Sequence, residues 1–446
     1  MKRRAVILIL CLITLAACST KTPDQPILDL VTLTQDAGAY HRLPADTPLL
    51  SPEAQQKAYA HFLAEHFAPW ERSAPKHTAK EVFWGLDVYG PKKIYGENTL
   101  LRDPAWMERM REYSRVAQYP SLNRRAITVT NTSMRVLPTN RPAFYDFARA
   151  GEGFPFDYMQ NSLVLAGTPL YASHVSADRA WILVESRFAF GWVPVTDIAW
   201  VDDGFISIFK TGNYGAITRD DVPLTDTDGS YRFTGHVGTL LPILERLHES
   251  DGYAFIIPTR TQRGDAVPQV AYVPAEFASP APLPTTPANF TRLANAMLGR
   301  QYGWGGLYED RDCSAATMDL MAAFGIYLPR NSSQQIKVGA VISLKDMSRE
   351  EKKRLIIQGA TPFLTLVRKP GHIMLYVGEQ NGQPIVFHST WGLKTKKDGK
   401  YGRKIIGSTV ITTLEPGLEL DNLARPEGIL LETVYAISTL PEIGGK

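Results

Sequence analysis

Cys313, His372 and His388 are the side chains whose type and order suit chemistry best. The chain of 446 residues has three cysteines, and two of them, Cys11 and Cys18, lie in the first 18 residues. Cys313 therefore has no evident partner for an internal disulfide or a cysteine-rich zinc site, so it either reacts or packs. Packing as a small hydrophobe is the common fate of a free cysteine. Its neighbours point the other way. Asp312 and Ser314 flank it, and Gly303, Gly305 and Gly306 lie just upstream. The run from Ala315 to Phe324 is a strong helix former that Gly325 can stop. With Asp312 as N-cap, Cys313 falls in the first helical turn. Backbone N–H groups and the helix dipole are expected to lower a thiol pKa there.

A thiolate peptidase also needs an imidazole to pair with sulfur and protonate the departing amine, and a polar group to orient that imidazole. Two of the nine histidines follow Cys313. His372 opens an expected strand, His372–Val377, and His388 lies in the next, Pro384–Ser389. Residues opposite each other on antiparallel strands stand about 5 Å apart between Cβ atoms, so His388 can meet the ring of His372. Two ordinary strand histidines would look the same singly; their order after a helix-capping cysteine favours a site. The chemistry calls for no metal or other cofactor. His61 and His66 flank Phe-Leu-Ala-Glu, a spacing that does not match His-Glu-x-x-His, so they are expected on a helix surface.

The elements that must position these groups form a multi-domain chain, as the length alone suggests. Lys2, Arg3 and Arg4 precede an apolar run, Ala5 to Ala17, too short to span a membrane. Residues 1–17 read as an export signal ending at Cys18. Residues 18–50, rich in Pro, Thr and Asp, read as a tether. Residues 51–125 form an expected α-rich accessory domain, opened by Ser51-Pro52-Glu53 and including Asp103–Met110. Two blocks of short strands follow, 126–202 and 203–283. Trp181–Glu185 and Gly191–Pro194 in the first correspond loosely to Tyr253–Pro258 and Ala271–Pro274 in the second. Ser279–Pro287 reads as a stiff linker, and 288–446 as an α+β domain carrying the thiol. Without Lys2, Arg3 and Arg4 the chain has 45 basic and 45 acidic residues, so its bulk composition shows no basic footprint for nucleic acid.

The motif set resembles a known family. The last 160 residues or so are similar to NlpC-type, papain-like cell-wall cysteine peptidases, through Tyr302-x-Trp304-Gly305-Gly306, Asp312-Cys313-Ser314, Leu328-Pro329-Arg330-Asn331-Ser332, Gly371-His372 and His388. The two β blocks resemble bacterial SH3-like barrels. Leu15-Ala16-Ala17-Cys18 resembles a lipobox, which implies lipidation of Cys18, a membrane anchor and a place in the bacterial envelope; Ser19 resembles outer-membrane sorting. The resemblance implies cleavage of the bond between γ-D-glutamate and L-lysine or meso-diaminopimelate in peptidoglycan stem peptides. It makes Cys313 the nucleophile, His372 the general base and acid, and His388 the orienting member. Tyr302, Asp312 and Ser314 match positions lining the substrate subsite and helping the oxyanion site. In related enzymes the first SH3-like domain walls the cleft and helps select peptides with a free N-terminal L-alanine. Asp312 is the first candidate for that amine and Asp157 the second, with a plain turn residue the alternative for Asp157. The approach to the histidine, Leu366 to Gly371, departs from the family's usual Gly-Asp turn. Two other readings remain: a murein amidase or cross-link endopeptidase using the same thiol, and a non-catalytic murein-binding lipoprotein.

Overall fold

The computed structural model describes residues 25–248 and 251–440. The expected signal at 1–17, with Cys11, and the expected lipidation site Cys18 lie outside the described residues. The N-terminal part is helical: α1 (Leu28–Thr32), α2 (Pro52–Phe67) and α3 (Pro104–Ser114), with further short helices between α2 and α3. Ser51 caps α2 by accepting from the Ala54 N–H, Asp103 caps α3, and each helix has proline at its first position. Trp70, just beyond α2, donates its indole N–H to the Ala126 carbonyl at 2.8 Å, tying this part to the first barrel.

Residues 25–50 differ from the tether expected of their composition. Ile27 and Tyr40 are buried. Asp29 accepts from both the backbone and the hydroxyl of Thr413, and Gln35 exchanges hydrogen bonds with Ile411. Buried Ile27 and Tyr40, with the side chains of Asp29 and Gln35, thus anchor this stretch on the last domain. His66 also departs from expectation. It is buried rather than on the helix surface, stacked on Phe62 and edge-on to Phe67.

The first barrel comprises β1 (Arg124–Thr128), β2 (Thr132–Arg135), β3 (Gln160–Val164), β4 (Pro169–Val175), β5 (Trp181–Glu185), β6 (Phe190–Pro194) and β7 (Ile198–Trp200). They form one antiparallel sheet in the order β3-β2-β6-β5-β4-β1-β7. The short helix α4 (Asp203–Phe209) leads to the second barrel. It contains β8 (Tyr214–Ile217), β9 (Val222–Thr225), β10 (Tyr231–Gly235), β11 (Leu240–Arg246), β12 (Tyr253–Arg260), β13 (Ala266–Val273) and β14 (Ala278–Ala281). The stretch expected to be a linker is structural: β14 pairs with β8, and Leu283 is buried with its N–H on the Ala323 carbonyl. Thr286 then caps α5 (Pro287–Met297).

The last domain packs α5 and α6 (Cys313–Ala323) on one face of a six-stranded sheet, and α7 (Arg349–Gly359) on the other. Its strands are β15 (Ala340–Ser343), β16 (Thr365–Lys369), β17 (His372–Gln380), β18 (Gln383–Lys397), β19 (Lys400–Thr413) and β20 (Ala436–Thr439), in the order β15-β20-β16-β17-β18-β19. Alternation along the strands feeds both layers. Leu366, Leu375 and Phe387 join the core containing Phe290 and Leu320, whereas Val367, Met374 and Val386 join that of Ile356. The first of these cores continues through the second barrel (Tyr214, Phe255) to Phe62 and Phe67 of α2. Burial on this scale, worth roughly 25 cal/mol per Å² of apolar surface, binds accessory and last domains together.

Candidate active site

Asp312 adopts the extended backbone of an N-cap, and its Oδ1 accepts from the Ala315 N–H at 2.9 Å, so Cys313 opens α6 as expected. The carboxylate is fully engaged. Arg330 donates Nη1 to Oδ1 at 3.0 Å and Nη2 to Oδ2 at 2.7 Å, the Gly305 N–H reaches Oδ2, and the Ser314 hydroxyl reaches Oδ1. Arg330 also donates to the hydroxyls of Ser314 and Ser162. On the other side, Arg311 is gripped by Asp220 through two hydrogen bonds and by Asp319, while its carbonyl accepts from Ser389. Two buried arginine clusters thus fix the backbone on both sides of the thiol.

Cys313 is 8% exposed, and the Ile373 N–H points at its sulfur. That contact places it beside the residue following His372. The helix start does not lower the thiol pKa as expected. Burial first, and the Asp312 charge second, push it up to about 11, against the Ile373 N–H and the charges of Arg330 and Arg368. The helix-end effect is worth about a kcal/mol and is outweighed in a desolvated position.

His372 and His388 meet with Nε2 and Nδ1 2.7 Å apart. The His388 Nε2 lies 3.1 Å from the Thr412 hydroxyl, which donates its own proton to the Thr413 carbonyl at 2.7 Å. That last bond sets the tautomers. Thr412 has spent its proton, so it accepts from the His388 Nε2–H. A neutral His388 then accepts at Nδ1, and His372 must donate from Nε2. The remaining nitrogen of His372, Nδ1, is left as a bare acceptor. Burial holds His388 neutral, lowering its pKa to about 3, and burial together with His388, Lys369 and Arg368 lowers that of His372.

Tyr302 borders the same space. Burial and the nearby Asp312 and Cys313 raise its phenol pKa. Its ring begins an aromatic series: Trp391 at 6.0 Å, then Phe156 at 5.9 Å from Trp391, and Trp304 at 5.2 Å from Phe156. Phe156 belongs to the first barrel, so this barrel forms one wall of the cleft. Asp157 is buried and not free for a ligand. Oδ1 accepts from the Ala143 and Met159 N–H groups, and Oδ2 accepts from Arg135 at 2.8 Å. Arg135 holds Gln160, whose amide donates to the Gly305 carbonyl. The structure thus gathers Cys313, His372, His388, Tyr302, Asp312 and Ser314. It places Asp157 behind them, securing the turn that carries Phe156. Among the described residues no three His, Cys, Asp or Glu side chains gather to hold a metal ion.

Four family models match the chain: an NLPC_P60 stabilising domain at residues 6–119, an SH3 domain of SH3b1 type at 142–194, an SH3 domain of SH3b2 type at 202–246, and NlpC/P60 at 299–397. The last domain thus matches the NlpC/P60 family model, behind a matching N-terminal stabilising domain and two SH3 domains. That match supports a peptidase acting on the cell wall. Among solved structures, an NlpC/P60 endopeptidase from Photobacterium damselae subsp. piscicida superimposes with a TM-score of 0.82 at 27% identity, over 92% of this chain and 97% of that one. An NlpC/P60 family protein from Bacillus cereus gives a TM-score of 0.47 at 14% identity, over 71% of this chain and 100% of that one. A comparison with curated proteins returns no match.

Several residues of this site are not signalled as functional by the sequence alone. Arg330 stands inside the Leu328–Ser332 motif, and a buried arginine beside Asp312 is the partner a buried carboxylate requires. Phe156, Gln160, Trp391 and Thr412 carry no local signal, because their positions depend on packing between domains or across strands.

Proposed function

We propose that the protein hydrolyses the γ-D-glutamyl–diamino acid bond of peptidoglycan stem peptides by a Cys-His-His mechanism. One observation carries the reading: the hydrogen-bonded series from Thr413 through Thr412 and His388 leaves the Nδ1 of His372 unprotonated on the ring next to Ile373, whose N–H addresses the Cys313 sulfur.

In this mechanism the resting pair is a neutral thiol and a neutral imidazole, as their opposite pKa shifts favour. The Cys313 proton passes to Nδ1, giving a thiolate–imidazolium pair in the course of reaction, and the sulfur attacks the γ-glutamyl carbonyl to form a tetrahedral oxyanion. His388 accepts the Nε2–H throughout and steadies the cation. N–H groups at the start of α6 and Tyr302 meet the oxyanion. His372 then gives its proton to the departing amine of the diamino acid. Water, deprotonated by the same nitrogen, attacks the thioester and releases the glutamyl product.

Phe156, Trp304 and Trp391 close the acyl side of the cleft, which suits a short peptide with a free N-terminal L-alanine. Asp312 and Asp157, whose oxygens are already engaged, hold that wall in place and do not receive the amine themselves. We further propose export and anchoring through a lipidated Cys18, with the body facing the periplasm. The test is mass analysis of products from L-Ala-γ-D-Glu-diamino acid peptides and from intact murein, side by side. The reading expects L-Ala-D-Glu from the free peptide and none from a Cys313→Ala variant. Release of intact stem peptide, or of fragments cut at a cross-link, contradicts it.

A further inference from the structure

The departing half of the substrate must lie on the His372 side of the sulfur, because His372 protonates it. That side is unusually basic. Lys369 is the cross-strand partner of His372 in the β16–β17 hairpin, joined to it by a two-residue turn, Pro370-Gly371. Arg368 pins this turn by donating to the carbonyls of Lys369 and His372. On the neighbouring hairpin, Lys394 and Arg403 are direct partners of β18 and β19. Arg403 reaches back to the first barrel: a Cβ built on Gly151 would stand 3.2 Å from its Nη2. Lys369, Lys394 and Arg403 are all half-buried.

None of the three forms an ion pair with a carboxylate among the described residues. The Lys369 ammonium contacts the Pro370 carbonyl at 3.3 Å, Arg403 donates to the Gly402 carbonyl, and Lys394 rests over the Tyr401 ring. The contrast with Arg311 and Arg330, each matched to carboxylates, is sharp. The charged groups bearing most on Lys369 are Arg368, Arg403 and Lys394, together with the Cys313 thiol. Partly desolvated cations facing one another are costly unless an anion arrives.

We propose that Lys369, Lys394 and Arg403 form a subsite for carboxylate on the leaving fragment, and so select a diamino acid bearing a side-chain carboxylate over L-lysine. The inference rests on the bond assignment made above. Meso-diaminopimelate brings a carboxylate where L-lysine brings only an ammonium, which this wall repels. A C-terminal carboxylate is a second source of the same chemistry.

The experiment compares kcat/KM of the full chain on L-Ala-γ-D-Glu-meso-diaminopimelate, its L-lysine counterpart, and the diaminopimelate peptide amidated either at the side-chain carboxylate or at the C terminus. The expected result is a preference of about tenfold or more for diaminopimelate over lysine, collapsing towards one in Lys394→Gln/Arg403→Gln and in Lys369→Met. Amidation at the carboxylate that is bound removes the preference in the wild type, so the two amides identify the source. Loss on side-chain amidation supports the selection stated here. Loss on C-terminal amidation alone overturns it, assigning the cations to the peptide end. Equal cleavage of the lysine and diaminopimelate peptides overturns this inference and leaves the bond assignment standing, whereas cleavage of neither at the γ-glutamyl bond overturns both. Circular dichroism of the variants separates loss of selectivity from loss of fold.

Discussion

The two barrels are built from similar strands yet meet the last domain in different ways. The first presents its turn at residues 153–160 to the cleft, where Phe156 packs on Trp304 and Trp391, and Gln160 bonds to the Gly305 carbonyl. The second contacts the rear of the same segment. Its Asp220 takes Arg311 with two hydrogen bonds, and its His236 takes Glu309 at 2.8 Å. One barrel shapes the space a substrate enters; the other supports the backbone before Cys313. A shared fold therefore says little about role, which is decided by the loop that faces the thiol.

The largest expected effect breaks the rear support. Asp220→Ala leaves Arg311 buried with Asp319 as its remaining carboxylate, and chemical denaturation should show a loss of about 3–5 kcal/mol. Kinetic constants of the protein that remains folded should change little. Next is the front wall. Phe156→Ala should cut kcat/KM by about tenfold, roughly 1.4 kcal/mol of transition-state binding, while the denaturation midpoint moves much less. If Phe156→Ala unfolds the protein and Asp220→Ala impairs only turnover, the division of labour is reversed.

Acidity distinguishes the same two supports. The folded-state pKa values of His372 and His388 are lowered, so the unfolded chain takes up protons near pH 6.5 that the folded site refuses. Stability should fall as pH drops from about 6.5, by up to roughly 1.4 kcal/mol per unit for each histidine, until the folded values are reached. His388→Asn should flatten that slope. Asp220, whose pKa is held well below the carboxylate range by Arg311 and His236, loses its contribution only at lower pH, as pH falls below about 3.9 and towards the folded value. Kinetics should agree, with the acid limb of kcat/KM lying below pH 6.5. The smallest effect is at the exposed pair Arg125–Asp203, between the first barrel and α4. Arg125→Ala should cost under about 1 kcal/mol in denaturation and leave turnover unchanged.

Local chemistry made much of this molecule legible. Ser51, Asp103, Asp312 and Ser348 cap helices where hydroxyl or carboxylate residues precede apolar patterns, and Gly325 ends α6 with φ +70°. The order cysteine helix, histidine strand, histidine strand also emerges from spacing and residue type. What stayed hidden depends on distant partners. Residues 25–50 look like a tether until Asp29 and Gln35 find β19, and Ser279–Pro287 looks like a spacer until β14 pairs with β8. Asp312 and Asp157 look available to a substrate amine until Arg330 and Arg135 occupy them. The thiol looked acidified by its helix because sequence shows the dipole but not the desolvation that opposes it.

The central claim is that the Nδ1 of His372 takes the proton of Cys313. The most direct measurement is the rate of Cys313 alkylation by iodoacetamide across pH 5–9, with the modified peptide identified by mass. With the resting thiol neutral, the account predicts wild-type alkylation at neutral pH that proceeds as His372 takes the proton, and a large drop in His372→Ala, whose rate climbs only as the solution approaches the raised thiol pKa. Identical rate profiles for the two proteins would contradict it.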